Sequence, residues 1–132
     1  MERWLGRYGE FLYALMRFFA GALFACHGAQ KLFGVLGGQV MTSNPKMLTA
    51  GVIEFVGGIL IAVGFQAGFA AFIASGEMAY AYFSAHAPNS FWPILNKGEL
   101  AVVYCFVFLY IASRGSGAIS IDRGMRSGGS RR

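Results

Sequence analysis

Four long apolar runs, each broken by a few isolated polar residues, set the pattern of this chain. Short stretches of Gly, Pro, Asn, Ser and charged residues separate them, so the pattern predicts helices at about 11–33, 45–64, 69–86 and 97–113 joined by turns. No alternating segment of barrel-strand length is visible, and lipid offers exposed backbone no hydrogen-bond partner, so an all-α fold is predicted. In Arg17 to Gly34, RFFAGALFACHGAQKLFG, the residues Arg17, Gly21, Phe24, Gly28 and Lys31 fall on one helical stripe, with His27 on its flank. Glycines and charges share that face while apolar residues cover the others, the pattern of a lipid-embedded helix that packs closely on its neighbours and offers them a polar seam. A basic side chain at the centre of such a helix costs roughly 2.5–3.5 kcal/mol on insertion scales, so partners are expected inside the protein.

The junctions carry their own signals. Asn44 and Pro45 predict an N-cap and first turn for the second helix, in which Gly51, Glu54, Gly57, Gly58 and Ile61 share a face. Phe65 to Gly68 predicts a tight turn into the third. There Tyr82 and His86 are one turn apart, whereas Glu77, nine residues before His86, is expected to project to the opposite side. Glu77 lies near the depth of Arg17, and a structural ion pair between the two is expected to hold the inner half. Asn96 and Glu99 resemble a capping box for the fourth helix, and Phe91 and Trp92 suit the headgroup belt. Residues 114–132 form a Gly-, Ser- and Arg-rich tail, predicted to be mobile and near anionic headgroups.

Composition agrees: 132 residues, 56% hydrophobic and 13% charged, read as one membrane domain over 1–132 rather than a soluble fold. The net charge of +5 does not point to nucleic acid, because the basic residues flank the apolar runs instead of forming a stripe. Arg3, Arg7, Arg114, Arg123, Arg126, Arg131 and Arg132 collect on one side, and Lys31, Lys46 and Lys97 on the other. By the positive-inside rule both termini are cytoplasmic, which fits a four-helix transmembrane bundle. Arg17 interrupts what would be the core of a secretory signal, and the apolar run continues past Cys26, so 11–33 is read as a span and not a cleaved leader.

With that topology the ionisable residues crowd the outer half. His27, Lys31, Glu54, His86 and Glu99 are the candidate catalytic set, two imidazoles, an amine and two carboxylates suited to proton handling or to a quinone head. His27, His86, Tyr82 and Asn96 are the candidate cofactor contacts. Glu54 has a structural alternative, a buried partner joining the first two helices, and Glu99 has another as a helix cap. No metal, haem or flavin site is evident. Cys26 and Cys105 form no CxxC; they read as small buried apolar residues, or as a thiol pair if their helices touch, since both lie roughly 10 Å deep at 1.5 Å per residue.

Arg17, HGAQKLFG at His27–Gly34, EFVGGILIAVG at Glu54–Gly64, GEMAYAYFSAHAPNSFWPILNKGELAVVYCFVFLY at Gly76–Tyr110 and SID at Ser120–Asp122 occur in order, and together they resemble the DoxX family of membrane proteins. The resemblance implies a multi-pass protein of the inner membrane, similar to the small subunit of a thiosulfate:quinone oxidoreductase. It also implies quinone as cofactor, and a soluble redox-stress enzyme or a second membrane subunit as partner. The motif positions are Arg17, His27, Gly28, Lys31, Glu54, His86, Asn96 and Glu99. Lys97 departs from the small residue expected before Gly98 and adds a cation at the outer rim. Two other classes stay open, a non-catalytic scaffold docking a soluble redox enzyme through its basic termini and a small-solute or proton carrier. Gly57 and Gly58 face either a sister helix or a second copy of the chain, as a homo-oligomer would require.

Overall fold

The computed structural model of the chain describes residues 1–130; Arg131 and Arg132, counted above in the basic tail, lie outside the described residues. Glu2–Leu5 (α1) and a 3₁₀ turn at Gly6–Tyr8 lead into Gly9–Phe33 (α2), which ends where Gly34 takes the left-handed conformation. Asn44 caps the next helix as its sequence predicts: its side chain accepts the Lys46 N–H at 3.0 Å, and Pro45 occupies the first turn. This second stretch is Pro45–Val52 (α3), a π-helical turn at Ile53–Gly57, and Gly58–Val63 (α4). The third is Ala67–Ala81 (α5) followed by a second π turn at Tyr82–His86, and after the short Pro93–Asn96 (α6) the fourth is Glu99–Arg114 (α7). Ile121–Gly129 (α8) closes the described chain. No strand occurs among the described residues. Two helical stretches, Glu2–Phe33 and Pro45–Val63, are long and apolar enough to cross a membrane by length and composition.

Two different seams hold α2 in place. Against α3 and α4 it meets backbone to backbone: a Cβ on Gly21 would stand 2.5 Å from the Ala62 nitrogen, and one on Gly58 would stand 2.5 Å from the Gly21 carbonyl. Gly28 and Gly51 continue the seam toward the other end. Against α7 the contact is made by rings instead, Phe24 lying 4.7 Å from Phe108 and 5.4 Å from Tyr104 between centroids. Helices α5 and α7 pack along each other, and α4 with the first π turn joins the two pairs, whereas α3 makes little contact with α5. Outward faces carry Phe18, Phe19, Phe69, Phe72, Phe83 and Phe106, all exposed.

Arg17 is 4% exposed, and its partners differ from the expected Glu77. Nε donates to the Ile61 carbonyl at 2.9 Å, Nη2 to Ile119 at 3.0 Å, and Nη1 to Ser116. The α4 C-terminus leaves carbonyls unpaired and carries partial negative charge, so a cation is stabilised there without a carboxylate. The tail supplies the remaining acceptors, which corrects its predicted mobility: 115–122 is a strap laid across the turn between α4 and α5. Tyr13 donates to the Gly115 carbonyl at 2.6 Å, and Asp122 accepts the Gln66 N–H at 2.9 Å and the Ser116 hydroxyl at 2.6 Å. Ser116 in turn accepts the Ala67 N–H at 3.2 Å, so strap side chains cap the start of α5. Arg114 pairs with Glu10 and lies 4.0 Å over the Tyr13 ring.

Other expectations also change. Gly57 faces open space rather than a sister helix, while Gly58 is the one at the seam. Both cysteines are free; Cys26 is exposed instead of buried, and Cys105 lies beside Ser75, so α2 and α7 form no thiol pair.

Two outcomes follow. Gly58→Ala should destabilise the protein by about 1–3 kcal/mol, because backbone on both sides must yield. Gly57→Ala, with open space around it, should be neutral or gain up to about 1 kcal/mol from helix propensity; thermal melts of the two variants in one detergent compare them directly. Arg17→Met should leave the strap carbonyls unmet at roughly 1–3 kcal/mol and make tryptic cleavage at Arg123 and Arg126 faster, and an unchanged cleavage rate would mean that Arg17 does not hold the strap.

Candidate functional site

Where α3 and the end of α5 diverge, a cavity of about 960 Å³ opens, at the opposite end of the helices from the strap. Phe24 and Tyr104 form its floor, and Ile53, Ile73 and Leu100 supply apolar wall. Ionisable side chains in its lining include His27, Lys31, Glu54, Glu77 and His86. Lys31 Nζ lies 2.5 Å from Glu54 Oε1, joining the end of α2 to the first π turn, with Glu54 almost fully buried and Lys31 partly exposed. The ring of His27 meets Tyr104 edge-on at 6.2 Å. Glu54 Oε2 and Glu77 Oε2 are both buried, and among the described residues neither has a hydrogen-bond partner.

The presence of both Glu77 and His86 in this lining corrects the expectation that they oppose each other. A regular helix turns nine residues through about two and a half turns, which sets them on opposite sides. The second π turn, closed by the Ala87 N–H on the Tyr82 carbonyl at 2.8 Å, takes up an extra residue, so nine residues rotate roughly as eight. His86 thereby swings to within about a quarter turn of Glu77. Glu77 lines this cavity and is not the partner of Arg17, which donates to backbone carbonyls at the strap end.

Three predicted site residues fall elsewhere. Glu99 is exposed on the outer wall, in a shallow depression with Pro93 and Lys97, and does not line the cavity. The Asn96–Glu99 capping box does not form, because Lys97 adopts the left-handed region and Gly98 becomes the N-cap of α7. Asn96 turns inward, where its amide donates to the Ser90 carbonyl at 2.6 Å and the Tyr82 hydroxyl at 3.2 Å and accepts the Gly98 N–H at 2.8 Å. Tyr82 donates to the Phe91 carbonyl. Both side chains thus use their polar atoms to fasten the 87–98 loop, and neither lines the cavity. His86 is tied to the same loop, with Nδ1 3.1 Å from the Asn96 carbonyl, and still faces the cavity. Lys97 and Lys46 stand at the mouth.

These observations describe a helical, membrane-associated protein with a polar cavity between two helix pairs. Residues 12–87 match the family model for DoxX. An uncharacterized protein of Haemophilus influenzae is 42% identical over 125 residues, covering 89% of this chain and 93% of that one. No solved structure matches. The chain belongs to the DoxX family.

The ion pair generates a stability test. Lys31→Met leaves the buried Glu54 carboxylate alone and should cost about 1–3 kcal/mol, less than a fully buried pair because Lys31 is partly exposed. Adding Glu54→Gln should recover part of that loss, and a double-mutant cycle on thermal midpoints measures the coupling; strictly additive losses would show that the pair does not stabilise the junction.

Proposed function

We propose that the protein is a four-span protein of the inner membrane, with both termini cytoplasmic, that binds a quinone ring in its outer cavity as the membrane subunit of an oxidoreductase. The observation that carries the proposal is the cavity itself, lined by two imidazoles, three lysine amines and two carboxylates among apolar side chains. Arg3, Arg7 and Arg114 at one end and Lys31, Lys46 and Lys97 at the other support the orientation.

The residues present fit such a ring. Ile53, Ile73, Leu100 and the Phe24 face offer apolar contact to a flat, lipid-soluble molecule, and Lys31, His27 and His86 offer polar contacts to its oxygens. Met47 and Thr49 on α3 and Tyr80 and Ser84 on the third stretch line the cavity while remaining exposed, a gap through which a tailed ligand enters from the bilayer. When bound, a quinone supplies the two-electron, two-proton chemistry that these side chains lack. The chain's own groups orient the ring and hold protons near it, and a soluble redox enzyme or second membrane subunit delivers the electrons. The aromatic floor of Phe24, Tyr104 and Phe108 favours a binding site over a through-path for solutes.

Extraction into lipid nanodiscs without detergent, followed by organic extraction and chromatography, should yield co-purified quinone, and depleted protein should rebind a short-tailed quinone saturably. Absence of both defeats the proposal.

A further inference from the structure

The end of the fold that carries the strap presents a second surface, separate from the cavity. Ser120 accepts the Arg123 N–H at 3.2 Å and so starts α8. Its first turn is tied to the α4–α5 turn, where the Asp122 N–H donates to the Gly64 carbonyl at 3.1 Å and Asp122 Oδ2 accepts the Gln66 N–H at 2.9 Å. At about 100° per residue, Ile121 and Met125 stand within about 40° of each other, and Arg123 and Arg126 fall on the opposite half of the helix. Within the described residues the apolar side is uncovered: Ile119, Ile121 and Met125 are 51%, 47% and 61% exposed. Among the same residues neither arginine has a carboxylate partner.

The level at which α8 is held gives this surface a partner. It starts beside Gln66, and Phe69, three residues further on, is 70% exposed, so the outward apolar band of the bundle begins about 4.5 Å from the tether at 1.5 Å per residue. The start of α2 lies at the same end, since Glu10 pairs with Arg114 and accepts the Ala118 N–H at 3.3 Å, and ahead of it Arg3, Trp4 and Arg7 are all exposed. Arginines and a tryptophan at the edge of an apolar band are the composition of a bilayer interface. Gly124, Gly128 and Gly129 also make α8 a poor helix former, and so short a segment is marginal in water on its own.

From this placement we infer that α8 lies in the plane of the membrane on a leaflet rich in anionic phospholipid, with Ile121 and Met125 among the acyl chains and Arg123 and Arg126 against the phosphates. The inference is independent of what the cavity binds and rests on the proposed spanning of the bilayer; with both termini cytoplasmic, the leaflet is the inner one. A soluble acidic partner would meet the arginines and leave the apolar side in water.

The test follows amide hydrogen exchange of the full chain in nanodiscs of phosphatidylcholine alone and of phosphatidylcholine with phosphatidylglycerol. Amides of 123–129 should exchange about tenfold more slowly, or slower still, with phosphatidylglycerol, since each arginine at an anionic surface strengthens attachment about fivefold. Arg123→Gln combined with Arg126→Gln should abolish the difference between the lipids. A nitroxide placed by Met125→Cys, in a chain with Cys26→Ser and Cys105→Ser, should be open to oxygen and shielded from a water-soluble nickel complex, and one placed by Ser127→Cys should show the reverse. Equal exchange of the wild-type chain in the two lipids, or nickel reaching both labels, overturns the inference. A third label at Phe72→Cys, on the exposed face of α5, tests the span itself. Oxygen there with nickel at both α8 positions overturns the inference alone, and nickel at all three overturns the spanning as well. The wild-type comparison between lipids decides the matter if a variant fails to fold.

Discussion

A charge removed from water must be met inside the protein, and the guanidinium of Arg17 shows how much structure that requirement organises. Its acceptors are carbonyls of two separate segments, the end of α4 and the strap that follows α7. The strap answers a second demand at the same place, since Asp122 and Ser116 accept N–H groups at the start of α5. A cation at a helix C-terminus and an anion at a helix N-terminus both lie with the peptide dipoles, so the α4–α5 turn is neutralised from both sides by one stretch of chain. Gly64 lets this happen: its φ of +72° ends α4, and a Cβ there would lie 2.5 Å from Ser120 and 3.0 Å from Arg17.

With that end fastened, the shape of the other end follows from how closely each pair of helices can approach. Glycine brings α2 against α3 and α4 at backbone distance along the whole seam. Phenylalanine and tyrosine keep α7 a ring's width away. Unequal seams on one helix splay the ends opposite the strap, and the space left between α3 and α5 is the cavity. The two π turns then set which side chains reach it. Glu54 lies in the first and His86 in the second, and each turn changes the helical phase locally without breaking the helix.

Features governed by spacing along one helix were readable from the residues. The stripe of Arg17, Gly21, Phe24 and Gly28 is buried, and helix limits fall within three residues of those predicted. His27, Lys31, Glu54 and His86 line one cavity, whereas Glu99, grouped with them from the sequence, lies outside it. Features that depended on phase or on backbone were not readable. A search for carboxylates near Arg17 finds Glu77, because carbonyl acceptors leave no mark in a sequence. A constant 100° per residue puts Glu77 behind His86, because no residue pattern announced the π turn. Asn96 and Glu99 have capping-box spacing, but Asn96 is drawn inward by Ser90 and Tyr82, a tertiary demand stronger than a local one. The tail, read as mobile from its Gly, Ser and Arg content, is instead tied down through Ser120 and Asp122 of SID, whose partners lie in the turn before α5 and the start of α8.

Buried polar residues in this protein differ in how completely they are bonded. Arg17, Asn96 and Glu54 are all at least nine-tenths buried. Arg17 donates to carbonyls of both α4 and the strap, and Asn96 uses oxygen and nitrogen alike, so each fixes one arrangement of chain. Glu54 and Glu77 keep one oxygen each unmet although the same fold satisfies polar groups with care elsewhere. A partly satisfied polar group in low dielectric is more costly than either a complete network or an apolar replacement, and such costs persist where a site needs them. The unmet oxygens occur together, on two different helices, facing one space. A fold assembled only to bury these residues would have closed that space.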